Sequence, residues 1–128
     1  MPEKKVIYAA DAIPTLPIFC HATQDPTTGL IYCSGSIGSD DKYQLPEGVQ
    51  AQTTLLLDNV KKVLAAAGSS LDQVLKVNVY LTNMKRDFGP MNEVYGTYFS
   101  KLPARTCVGV AQLPFDALVE MECTAMPN

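Results

Sequence analysis

Two segments in the last quarter of the chain alternate with a period of two, and how they pair constrains the fold more than any other feature. In Pro103–Val110, Thr106, Val108 and Val110 share one face, while Arg105, Cys107 and Gly109 share the other. In the second segment Val119, Met121, Cys123 and Ala125 form an apolar face opposite Glu120 and Glu122. Paired as a hairpin around Leu113-Pro114-Phe115-Asp116, these strands put Arg105 and Glu120 together on the face turned away from the core. A guanidinium fork held there grips a carboxylate, and a nearby glutamate handles a proton or a water.

The rest of the chain supplies the layer that such strands need. Lys5 to Ala9 reads as a strand. Phe19–Thr23 and Leu30–Ser34 read as a hairpin whose turn begins at Asp25-Pro26 and closes at Gly29. After a polar loop, Ser39 to Gly48, the spacing of Val49, Thr53, Leu56, Val60, Val63, Leu64 and Ala67 predicts a helix over 49–67, with Gly68 at C′. Val74–Leu81 reads as a strand with Leu75, Val77, Val79 and Leu81 inward. A second helix is predicted from near Asp87, with Pro90 in its first turn and Met91, Val94, Tyr95, Tyr98 and Phe99 on its core stripe. The order β-β-β-α-β-α-β-β predicts one α+β domain over 1–128, two helices on one face of a mixed sheet. By parity Tyr32, Ser34, Asn78, Tyr80, Arg105, Cys107, Glu120 and Glu122 lie on the other face. That mixture of tyrosine, cysteine and glycine with few lysines predicts a surface covered by another copy of the chain.

Composition excludes several classes of function. The formal net charge is -3 with no basic stripe, so a phosphate-backbone binder is not expected. No apolar stretch reaches membrane-spanning length, and the first residues have neither a signal-peptide core nor transit-peptide character. Cys20, Cys33, Cys107 and Cys123 form no C-x-x-C pair, and His21 is the sole histidine, so neither a metal site nor a histidine triad is expected. Reduced, buried thiols predict a cytoplasmic protein. Ser34 has no histidine and acid arranged around it, Cys107 reads as a small strand hydrophobe rather than a nucleophile, and His21 reads as a surface or interface residue.

Pro103-Ala104-Arg105-Thr106-Cys107-Val108 with Leu118-Val119-Glu120-Met121-Glu122 resembles the signature of the RidA/YjgF family of enamine/imine deaminases. Tyr32-Cys33-Ser34-Gly35-Ser36-Ile37-Gly38, Leu57-Asp58-Asn59-Val60 and Met91-Asn92-Glu93-Val94-Tyr95 follow in the family's order. The resemblance implies a chorismate-mutase-like homotrimer with sites between subunits and no cofactor. It further implies hydrolysis of 2-imino acids such as 2-iminobutanoate and 2-iminopropanoate to 2-keto acids and ammonia, which protects pyridoxal-phosphate enzymes. Carried over by position, Arg105 anchors the carboxylate and Glu120 orients or activates water. Cys107 offers its main chain near the imine nitrogen, and Ser34, Gly35 and Asn92 line the pocket. The family's Gly-Pro-Tyr-Ser-Gln-Ala is here Pro17-Ile18-Phe19-Cys20-His21-Ala22, so a bare Phe19 ring walls the pocket where a tyrosine stands in relatives. Alternatives are RNA cleavage with inhibition of translation, also attributed to relatives, and a non-enzymatic keto-acid-binding or chaperone-like trimer.

Overall fold

The computed structural model describes residues 2–128. Strands β1 (Lys5–Ile7), β2 (Ala22–Gln24) and β3 (Ile31–Ile37) precede helix α1 (Val49–Ala66). Strand β4 (Val74–Leu81), helix α2 (Met84–Tyr98), β5 (Ala104–Gly109) and β6 (Val119–Ala125) follow, with short 3₁₀ turns at Leu71–Gln73 and Pro114–Asp116. The predicted order of elements holds. The strands form one six-stranded sheet in the order β1-β2-β3-β6-β4-β5, antiparallel except for the parallel β4–β5 pair.

The helices cover one face. Leu56, Leu57 and Leu64 of α1 and Met91 of α2 are buried against Val77, Val79, Val119, Met121 and Ala125 of the sheet. Each such valine, leucine or methionine side chain removed from water contributes about 1.5–3 kcal/mol. Gly68 ends α1 with φ of 77°, the left-handed conformation expected at C′. Gly38 fits where α1 crosses the end of β3, because a Cβ there would stand 1.8 Å from the Gln52 carbonyl oxygen.

Five expectations are corrected. β5 and β6 are not a hairpin: β4 lies between them, and β5 runs parallel to β4 at the sheet edge. The register Val77↔Arg105 and Val79↔Cys107 then puts Arg105 and Cys107 on the helix-covered face, since Val77 and Val79 are core residues. Thr106 and Val108 point to the open side, where the Lys76 ammonium donates to the Thr106 hydroxyl at 2.9 Å. In β4 a register shift between Val74 and Lys76 turns Val74 inward and leaves Leu75 exposed. Helix α2 begins at Met84, because the Asn83 side chain caps it by accepting from the Arg86 N–H at 3.1 Å, which leaves Pro90 inside the helix rather than in its first turn. His21, expected at a surface or interface, is buried.

Candidate active site

The sheet edge presents Arg105 on a bed of aromatic rings. Its guanidinium carbon stands 4.8 Å from the Tyr95 ring centroid and 5.7 Å from that of Phe88, and Nη1 donates to Asn92 Oδ1 at 2.6 Å. Helix α2 explains the cluster: positions 88, 92 and 95 recur at helical spacing and face the parallel edge strand. Among the described residues the one salt bridge is Arg86–Asp87, so no carboxylate neutralises Arg105. An arginine with its flat face held on rings and one nitrogen pinned keeps the remaining donors for an anion. Tyr95 is 7% exposed, its hydroxyl has no hydrogen-bond partner, and burial pushes its pKa up to about 12. Cys107 lies beside this group with its Sγ 3.9 Å from Met84 Sδ, and burial pushes its thiol up, against a nearby thiolate role.

Apart from the arginine group, Glu120, Ser34, Gly35 and Phe19 meet around a cavity of about 410 Å³ whose wall also reaches Asn59 and Val63 of α1. A bulge in β3 between Cys33 and Ser36 builds it. It brings Gly35 so close to Glu120 that a Cβ would stand 2.5 Å from Oε2. Burial, and then the like charge of Glu122, raise the Glu120 pKa above the usual carboxylate range. Glu122 is engaged otherwise, accepting the Tyr80 hydroxyl.

His21 has a role that the sequence alone left open. Its Nδ1 accepts from the Ala9 N–H at 2.9 Å, so its Nε2 carries the proton and donates to the Ile13 carbonyl at 2.7 Å. Both nitrogens are therefore occupied in fastening the loop that walls the cavity. A glutamine amide offers the same pairing of one acceptor and one donor, so the glutamine that the resemblance implies at this position would make the same two contacts.

The seven predicted positions thus fall into two groups, Arg105, Asn92 and Cys107 in one and Glu120, Ser34, Gly35 and Phe19 in the other, and one protomer does not unite them. Phe88 and Tyr95 belong to the arginine group. Tyr95 had been legible only as core, and the i, i+3, i+4 spacing of Phe88, Met91, Asn92 and Tyr95 was the available signal.

This is a class of small α+β domain carrying two half-sites, one an anchored cation at the sheet edge, the other a carboxylate in an apolar cavity. The family model described as Endoribonuclease L-PSP matches residues 10–127. The RutC family protein UK114 of Drosophila melanogaster is 43% identical over 127 residues, covering 96% of this chain and 89% of that protein. The mitochondrial protein mmf2 of Schizosaccharomyces pombe is 42% identical over 101 residues, covering 76% of this chain and 79% of its own. The crystal structure of E. coli TdcF with bound serine superposes with a TM-score of 0.87 at 32% identity, over 97% of this chain and 99% of that one. The chain belongs to this L-PSP family, the RutC/YjgF/Rid proteins.

Proposed function

We propose that the protein hydrolyses 2-imino acids, and their enamine tautomers, to 2-keto acids and ammonia at sites shared between subunits of a homotrimer. The observation that carries this reading is the unneutralised Arg105, pinned by Asn92 and backed by Tyr95 and Phe88. A planar fork so held suits a small carboxylate, and lysine offers no equivalent. The TdcF structure holds serine, a ligand with a carboxylate of this kind. Arg105 of one copy and the Glu120 cavity of the next complete the site, which is why a single protomer separates them.

With the carboxylate on Arg105, Glu120 takes a proton from water as its oxygen bonds to the imine carbon, and passes that proton to the nitrogen onto which the C=N pair moves. The carbinolamine then collapses: Glu120 takes the hydroxyl proton and delivers it to the amino nitrogen as C=O forms and the C–N bond breaks, so ammonia leaves and the carboxylate is restored. A carboxylate with a raised pKa serves both proton transfers. The main chain near Cys107 holds the nitrogen, with no covalent step on sulfur. No metal or cofactor enters this scheme. Four free cysteines suit a reducing compartment such as the cytoplasm.

The test couples a threonine dehydratase to the protein and follows 2-ketobutanoate release with semicarbazide as a competing trap. The wild type diverts imine from the trap and Arg105→Ala does not. Equal trapping with and without the wild type rejects the reaction. Cleavage of RNA by the wild type that Arg105→Ala abolishes would favour the nuclease alternative, against which the net charge of -3 weighs.

A further inference from the structure

We propose that the cavity beside Glu120 is a side-chain pocket that makes this protein prefer imino acids with branched aliphatic or aromatic side chains over those derived from alanine or 2-aminobutyrate. This inference rests on the deaminase reading of the same site. The volume, about 410 Å³, lies within the range of pockets that enclose whole small ligands. A methyl or ethyl group leaves most of it without contacts. Ile13, Leu16, Phe19, Ile37, Val63 and Phe115 supply the apolar wall.

Most of the polar lining is engaged elsewhere. The Ser34 hydroxyl donates to the Cys20 carbonyl at 2.7 Å. The Asn59 amide accepts from the Ile13 N–H at 2.7 Å and donates to the Ser36 hydroxyl at 3.2 Å. Both His21 nitrogens are occupied, and the Tyr43 hydroxyl donates to the Pro14 carbonyl. What faces the space is chiefly carbon, with the Glu120 carboxylate among the lining groups.

The wall is also held against local backbone preference. Tyr43 and Phe115 are non-glycine residues at φ of 60° and 59°, and their rings stack with centroids 4.7 Å apart. Such left-handed residues persist where surrounding structure over-determines them. Here two of them converge to make one aromatic surface.

The experiment generates imines in situ from leucine, phenylalanine, alanine and 2-aminobutyrate with an L-amino-acid oxidase and catalase, and measures kcat/KM from diversion of the semicarbazide trap. The leucine- and phenylalanine-derived imines are expected to react at least ~10-fold faster than the alanine-derived one, the scale set by added methylenes in an apolar pocket. Leu16→Trp, which narrows the cavity with a bulkier wall, is expected to lower that ratio. An equal or higher kcat/KM for the alanine-derived imine overturns the pocket while leaving the deaminase reading intact. If no imine reacts, calorimetry with 4-methyl-2-oxopentanoate, phenylpyruvate and pyruvate still decides. Tighter binding of the larger keto acids supports the pocket, and equal affinities reject it.

Discussion

The Arg105 guanidinium lies over the Tyr95 ring at 4.8 Å, and the hydroxyl of that same ring is buried without a partner. The two facts separate what the ring does from what its oxygen does. Tyr95→Phe keeps the face under the cation and removes an unsatisfied polar atom, so it is expected to preserve KM and raise thermal stability. Tyr95→Leu removes the face, with a contact worth up to ~2 kcal/mol, and KM is expected to rise about tenfold with a smaller change in kcat. A merely structural tyrosine would lower stability in Tyr95→Leu without this KM-selective loss.

Glu120 should reveal itself through opposite effects on activity and stability. Its pKa in the folded chain is raised above 4.5, so the contribution it makes to stability is present at low pH and is lost as pH rises through the raised value. Glu120→Gln is therefore expected to match the wild type near pH 4 in denaturant melts and to be the more stable at neutral pH. Solvent reaches the site, so the gain stays below ~1 kcal/mol. Loss of a general acid–base is expected to cost kcat about 100-fold or more and to flatten the acid limb of the pH–rate profile.

Gly35 is the backbone position against which that carboxylate rests, and its φ is not in the left-handed region. Gly35→Ala introduces a methyl 2.5 Å from Oε2, and the flexible end of Glu120 can swing away at little cost to folding. The expected result is a kcat loss approaching that of Glu120→Gln with a melting temperature close to wild type.

The loop fastened by His21 gives a test of hydrogen bonding rather than charge. His21→Leu leaves the Ala9 N–H and the Ile13 carbonyl without partners, at a cost of about 2–4 kcal/mol. His21→Gln restores one acceptor and one donor and is expected to recover most of that stability and the kcat/KM of the wild type. Chemical denaturation of the three proteins measures the difference.

Particular residues explain how much of this was legible beforehand. Val119, Met121, Cys123 and Ala125 alternate on a central strand with one covered face, so parity placed Glu120 and Glu122 correctly. Parity on β5 gave the right partition but the wrong face. At a sheet edge both faces are partly open, and Val108 looked more apolar than Arg105 although it is 42% exposed. Alternation says which residues share a face, not which face a helix covers. The Leu113–Asp116 turn suited a hairpin by composition, yet the non-local parallel pairing of β4 with β5 placed β4 between β5 and β6, a relationship that turn composition does not encode. The register shift at Val74–Lys76 and the capping of α2 by Asn83 depended on local bonds that the hydrophobic pattern does not register.

The separation of Arg105 from Glu120 within one protomer makes subunit mixing the most discriminating measurement. Arg105→Ala and Glu120→Gln each remove one half-site, so each variant alone is expected to be inactive. When equal amounts are denatured together and refolded, a site shared between neighbours is intact whenever the copy supplying arginine carries the Glu120 change and the copy supplying glutamate carries the Arg105 change. Random assortment in a cyclic homo-oligomer therefore restores about one quarter of wild-type activity. A site contained in one chain restores none, because every chain then carries a defect. Light scattering on the refolded mixture verifies that the oligomer has formed, and an inactive mixture of correctly sized oligomers would reject the shared site.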